Sequence, residues 1–370
     1  EPPIVIAEAR RSFGIPAFNV LNLRARLLTD PGDQPADEEW RQIGGNVSGG
    51  GLIAGMPNRI IKDFALDECH PSRVYAGLGG LFGVGGIYAT EEIEAVFAGE
   101  ASWREISDEE MRGQSTFDDV FVDPNNSNVL WAAGSHLYKG KRTNPNVWEW
   151  TKSSFEIGDL YVWDNSGKTV VAFVSELSGD RQIHVLTNPA ANGISGTKAV
   201  GLTETESLQI RPEPWLDPVL RSNMNIEGLA GYDDKIIATT VVPVFKKSLG
   251  IFEGTISGTG NNTSVSWQDY GQDATGQEFY YPRDGTADAK IVEQTDGKRY
   301  YTLPTFGTGV WWRYVGDAPA GQAAIAVNKS GLRFGQQSGQ TQAVELTASG
   351  SWTIVNNLPN WITRSTNGGT

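Results

Sequence analysis

The chain has 370 residues, with 44 Gly and 18 Pro, and 30 Lys and Arg against 44 Asp and Glu leave it at a net charge of −14. That length allows two or three domains, or one large β domain with a small one, and so much Gly and Pro favours turns over long helices. The charge makes nucleic acid an unexpected partner, because a phosphate backbone is repelled and no local basic patch offsets it.

The single cysteine, Cys69, rules out an intrachain disulfide and a CxxC metal site. His70, His136 and His184 lack zinc-ligand spacing, so no cofactor is expected. No apolar run approaches the roughly 18 residues of a membrane span. Glu1-Pro2-Pro3 does not read as a signal peptide, although an export signal could have been removed. With 12 Trp, 11 Tyr and 14 Phe against 3 Met, aromatic side chains must carry much of the core.

Along the chain, one pattern recurs. A first unit near 17–43 ends on Trp40-Arg-Gln-Ile43. Phe64-Ala-Leu-Asp67 then leads through a turn with Pro71 to Val74-Tyr75-Ala-Gly77, and Val120-Phe-Val-Asp123 leads through Pro124-Asn-Asn to Val129-Leu-Trp131-Ala. Asp67 and Asp123 lie 56 residues apart, as do Tyr75 and Trp131. An apolar run, a turn of Asp, Asn, Pro or Ser, and a second apolar run predict a β-hairpin. A third strand follows at Gly86–Ala89, Leu137-Tyr138, Gly250–Phe252 and Gly309–Trp312. A fourth carries Trp among polar residues at Trp103–Ile106, Trp148-Glu-Trp150 and Ser266-Trp267-Gln268. Further units start at Asp159–Trp163, at Ile226–Ala230 and at Lys290-Ile-Val-Glu, the last with a Thr295-Asp296-Gly297 turn.

Four short strands repeated at this spacing describe the blades of a β-propeller. Units near 17–43, 60–107, 117–153, 157–205, 226–270 and 288–316 give about six blades, with five or seven also open. A β-sandwich is the alternative, but it does not need a Trp on every fourth strand.

Gly99-Glu-Ala-Ser102-Trp103 and the run from Asp123 to Gly134 resemble the Asp-box (BNR) propellers, a group that includes sialidases, xyloglucanase-type glycosidases and sortilin-like receptors. The resemblance covers about 17–316, and no unit keeps the full Ser-x-Asp-x-Gly-x-x-Trp box. Ser12-Phe-Gly-Ile-Pro-Ala17 is similar to the Phe-Arg-Ile-Pro-Ala opening of sialidases, but Gly14 stands where that family's essential arginine belongs, which argues against sialidase activity.

After a linker at 317–322 the composition changes: residues 323–370 hold one acidic residue, Glu345, and three basic ones. Leu332-Arg-Phe334, Gly350-Ser-Trp352 and Leu358-Pro-Asn-Trp361-Ile362 resemble the BACON module of Bacteroidetes surface proteins and some of their phages. That resemblance implies an immunoglobulin-like sandwich, with Trp352 and Trp361 more often core than platform. The strands that would close it are expected beyond Thr370.

Two segments offer binding chemistry. Arg211-Pro-Glu213-Pro-Trp215 places opposite charges and an indole on a proline-stiffened stretch, and Phe279-Tyr280-Tyr281-Pro-Arg283-Asp284 sets three aromatics beside an ion pair. Sugars stack their C–H faces on such rings while polar groups take the hydroxyls. Arg211, Trp215, Tyr280, Tyr281 and Arg283 are therefore the candidate ligand contacts, against the plainer reading of packing between blades. For a glycosidase, which needs two carboxylates at a set separation, the candidates are Glu206, Glu213 and Asp284. Residues 91–119 hold ten acidic residues and two arginines, a net of −8. They could ligate Ca²⁺, but no DxDxDG-type loop is present, and a solvated excursion between strands is the simpler reading.

The sequence thus predicts an all-β chain, a propeller over 1–316 and part of an immunoglobulin-like sandwich over 323–370. Its expected role is non-enzymatic recognition of a glycan, or of a cell-surface or virion protein, at a bacterial surface or outside the cell. The alternatives are a phage tail or adhesin component and a glycoside hydrolase.

Overall fold

The computed structural model describes residues 4–12, 19–27, 41–45, 54–57, 59–79, 85–112, 116–144, 147–175, 182–187, 189, 194, 199–203, 225–242, 247–270, 289–293, 297–305, 309–317, 325–327, 346–348, 352–353 and 368–369. They fall into two compact units, Glu1–Ile291 with Tyr301–Trp312, and Val292–Tyr300 with Arg313–Thr370.

The first unit opens with β1 (Ile4–Ser12), β2 (Asn19–Leu27) and β3 (Arg41–Gly45), an antiparallel three-stranded sheet in chain order. Four four-stranded antiparallel meanders follow. The first is β4 (Ile60–Leu66), β5 (Val74–Gly79), β6 (Gly86–Thr90) and β7 (Arg104–Glu105), with helix α1 (Ile93–Ala98) between β6 and β7. This helix stops at Gly99, whose φ of 83° is left-handed and favours glycine. After helix α2 (Glu109–Arg112) come β8 (Asp119–Asp123), β9 (Asn126–Ala133), β10 (His136–Asn144) and β11 (Val147–Asn165).

The 19 residues of β11 serve two meanders. Its first half pairs with β10, and from Ile157 onward it pairs with β12 (Lys168–Ser175), which continues into β13 (Gln182–Thr187) and β14 (Ala199–Thr203). The fourth meander is β15 (Asn225–Tyr232), β16 (Lys235–Val242), β17 (Lys247–Ser257) and β18 (Ser264–Asp269). β19 (Lys290–Glu293), β20 (Lys298–Thr305) and β21 (Gly309–Asp317) form a three-stranded sheet in chain order, and the division between the two units runs across these strands. In the second unit β22 (Ile325–Val327) pairs with β23 (Leu346–Ala348), and β24 (Trp352–Thr353) with β25 (Gly368–Gly369).

The meanders stack face to face, and that decides their composition. Tyr75, Ile87 and Ala89 of the first form one apolar cluster with Val120, Leu130 and Tyr138 of the second. Trp131 and Leu137 of the second cluster with Leu160, Val171 and Phe173 of the third. Trp163, Val170 and Val185 of the third cluster with Ile226, Ile236 and Phe252 of the fourth. A second strand covered on both faces must be apolar throughout rather than alternating. β5 is buried at all six of its residues, and β12 at seven of its eight.

A repeated polar contact ties neighbouring first strands together. The Asp63 carboxylate accepts the Val120 N–H at 2.9 Å, Asp119 accepts the Leu160 N–H at 3.1 Å, and Asp159 accepts the Leu229 N–H at 3.2 Å. The registers agree: Asp63 sits opposite Gly77, and Asp119 opposite Ala133. Successive four-stranded meanders packed face to face, first strand beside first strand, make this an all-β, propeller-like fold with four complete blades among the described residues. The units expected at 60–107, 117–153, 157–205 and 226–270 match these blades, and the third and fourth strands lie where the Gly-aromatic and Trp-polar runs placed them.

Candidate functional site

Glu206, Arg211, Glu213, Trp215, Tyr280, Tyr281, Arg283 and Asp284 all lie outside the described residues. Among the described residues, the exposed large apolar side chains are Leu66, Val147, Val292, Trp312 and Tyr314, and three of these five belong to β19 and β21.

In the second unit, alternation along β21 turns Tyr314 outward, 47 % exposed, between the half-buried Arg313 and Val315. Its ring meets that of Tyr300 with centroids 5.8 Å apart and planes tilted by 59°. The Tyr314 hydroxyl donates to Asp317 Oδ1 at 2.7 Å, and this bond is the leading reason its pKa is raised. At the edge, Arg299 Nε pairs with Glu293 Oε2 at 3.1 Å, and Lys298 and Val292 are exposed. The outcome is a small aromatic surface, held in orientation by a charge-assisted bond and flanked by donors and acceptors. It can take the apolar face of a ligand whose edge carries hydroxyls. The signal for it in the sequence was the stretch Trp312-Arg-Tyr314, where apolar and charged residues alternate at the strand period.

The buried polar groups follow the repeat. In the second blade Asp123, 4 % exposed, accepts from Trp131 Nε1 at 3.1 Å, from Thr169 Oγ1 at 2.6 Å and from the Asn125 N–H at 3.0 Å. In the first blade Asp67 holds the same place but pairs differently. It takes Arg73 Nη1 at 2.8 Å, lies 3.2 Å from His70 Nδ1, and accepts the Cys69 N–H at 3.0 Å. Arg73 Nε also reaches Glu91 Oε2 at 2.8 Å, and Arg142 Nη2 from β10 reaches Glu91 Oε1 at 2.8 Å.

A serine and a histidine also meet: Ser175 Oγ lies 2.7 Å from His184 Nε2. The spacing is that of a nucleophile and its base, but the surroundings are those of a core. The two residues are 2 % and 4 % exposed, and the imidazole stacks on Phe173 at 5.0 Å, with Phe155 at 4.8 Å. Nδ1 has no partner among the described residues, so the third group of a nucleophile–base arrangement is not found among them. Burial alone pushes the His184 pKa down to about 4. Among the described residues no three His, Cys, Asp or Glu side chains are grouped to hold a metal, and no helix is long and apolar enough to cross a membrane.

No protein-family model and no curated protein matches the chain. Among solved structures it is similar to the β-propeller domain of the Trilobed protease from Pyrococcus furiosus, at 7% identity over 85% of this chain and 95% of that one, with a TM-score of 0.38. It is also similar to BBS1N in complex with ARL6DN, at 9% identity over 86% and 82% of the two chains and a TM-score of 0.41. An engineered GH43 glycoside hydrolase with endo-xylanase and exo-arabinofuranosidase activity matches at 11% identity over 70% and 52%, with a TM-score of 0.32. The scores are low, and the propeller-like assignment rests on the strand order and register described above.

Proposed function

We propose that the chain is a non-enzymatic recognition protein that binds glycans outside the cell or at a bacterial surface. The observation that carries this reading is the exposed Tyr314 ring, set against Tyr300 and fixed through its hydroxyl by Asp317. A pyranose offers an apolar C–H face and a rim of hydroxyls, and an aromatic surface flanked by Lys298 and Asp317 complements both. With this reading go the finer expectations from the sequence: an Asp-box propeller of about six blades, and a BACON-like immunoglobulin sandwich over 323–370.

The test is a glycan array followed by titration of the best binder. Tyr314→Ala is expected to weaken binding at least tenfold, and Asp317→Asn by a smaller factor because only the ring's orientation loosens. Binding that is unaltered in both variants, or no binding to any glycan, overturns the reading and favours a docking component of a phage tail or adhesin. Release of reducing sugar from any glycan overturns the non-enzymatic part.

A further inference from the structure

The first and second blades solve the same packing problem differently. Tyr75 and Trp131 are equivalent in register, opposite Ala65 and Phe121, and both are fully buried. The Trp131 indole N–H is satisfied by Asp123 at 3.1 Å. The Tyr75 hydroxyl finds no partner among the described residues, because Asp67 is taken by Arg73 and His70. The Trp148 ring stands edge-on to Tyr75 at 5.8 Å, and its Nε1 is likewise buried without a partner. Leaving a buried polar atom unsatisfied is costly, so two beside one another ask for an explanation.

The charges around them supply one. Arg73 and Arg142 have side chains only 10% and 8% exposed, and both turn to one carboxylate, Glu91, that is itself 36% exposed. The two guanidinium groups take the two oxygens from different blades, each at 2.8 Å. Two nearly buried arginines closing on one carboxylate at the solvent boundary make a ready carboxylate cradle. Tyr75 lies within electrostatic reach of Arg73, Glu91, Asp67 and Arg142, and burial is the main reason its pKa is pushed up to about 12. It stays protonated and can donate at any physiological pH.

We propose that Arg73 and Arg142 form a binding site for a carboxylate-bearing ligand, which would take the place Glu91 holds between them, with the Tyr75 hydroxyl and Trp148 Nε1 as reserve donors for its remaining atoms. This site is independent of the Tyr300 and Tyr314 surface.

Glu91→Ala opens the cradle, and calorimetric titration with D-glucuronate, N-acetyl-glutamate, acetate and D-glucose reads it. The carboxylates are expected to bind the variant at least tenfold more tightly than the native chain and to raise its Tm, and glucose is expected to do neither. Glucuronate ahead of N-acetyl-glutamate assigns the carboxylate to a saccharide, and the reverse order to an acidic peptide. Adding Tyr75→Phe should weaken binding severalfold without lowering Tm, since it removes an unsatisfied hydroxyl rather than a used one. Should Glu91→Ala fail to fold, Glu91→Gln keeps the side chain's shape and removes the competing charge. A folded variant that binds no carboxylate, or binds glucose equally well, overturns the proposal.

Discussion

Acid should weaken this fold through one buried imidazole before the carboxylates titrate. His184 lies between Phe155 and Phe173 and is neutral, its pKa about 4 against about 6.5 for an unfolded histidine. Between those values the unfolded chain binds a proton that the folded chain refuses, so stability falls as pH falls through that window and is unaffected above it. At about 1.4 kcal/mol per unit, the loss attributable to His184 between pH 7.5 and pH 5 is about 2 kcal/mol. His184→Phe keeps a flat ring between the two phenylalanines and leaves Ser175 its contact with the Gln182 carbonyl at 3.4 Å. Urea denaturation of both proteins at several pH values between 7.5 and 5 should give curves that diverge by that amount, the native chain losing more. Parallel curves would refute the reasoning, as would an imidazole that titrates near 6.5 by NMR in the folded chain.

Asp119→Ala removes the bond between blades but leaves the Leu160 N–H shared with Asp159 Oδ1 at 2.9 Å, so it should cost about 1 kcal/mol by chemical denaturation, with Asp119→Asn costing less. Asp123→Ala strands the buried Trp131 Nε1 and takes the acceptor from the Thr169 hydroxyl, while the exposed Asn125 can turn its N–H to water, and should cost about 2–3 kcal/mol, read as a lowered denaturant midpoint at constant slope. Gly140→Ala places a methyl group 2.7 Å from the Trp150 ring, so it should cost about 1–3 kcal/mol and shift the tryptophan emission. Gly228→Asp puts a carboxylate where the other blades have one, yet should destabilise, because φ there is 66°; a rise in Tm would count against that.

The first two blades are legible because one residue type recurs at the same place in both. Asp67 and Asp123 are both buried acceptors at the first hairpin, and a buried carboxylate must be paired, so the residue type persists and marks the repeat. The single strand β11 was not legible as one element. Its first half alternates with exposed faces around Trp148 and Trp150, while its second half is packed between blades from Leu160 to Trp163, and a change of pattern reads as a change of strand. β1 is not legible in the sequence because its Glu8, Arg10 and Arg11 break any apolar period. The aromatic surface at Tyr300 and Tyr314 is not legible in the sequence for a different reason: adjacent tyrosines such as the half-buried Tyr300 and the buried Tyr301 look alike until the register is known.

The series Asp63, Asp119, Asp159 and Gly228 shows how a fold can repeat a function without repeating a residue. Three times a carboxylate reaches across to the next first strand's N–H. At the fourth place the side chain is gone. There Gly228 takes a left-handed φ of 66°, and a Cβ built on it would lie 3.4 Å from Ala289 Cβ and 3.7 Å from the Ala289 nitrogen. Those are ordinary contact distances, so it is the positive φ, which L side chains rarely adopt, that calls for glycine there. The requirement on the sequence therefore switches from a charge to the lack of a side chain, and a search for identical residues loses the repeat where its geometry changes. Asp67 and Asp123 show the converse, one residue type serving an ion-pair network in one blade and an indole in the next. Position in the strand register, not residue identity, is what makes the blades comparable.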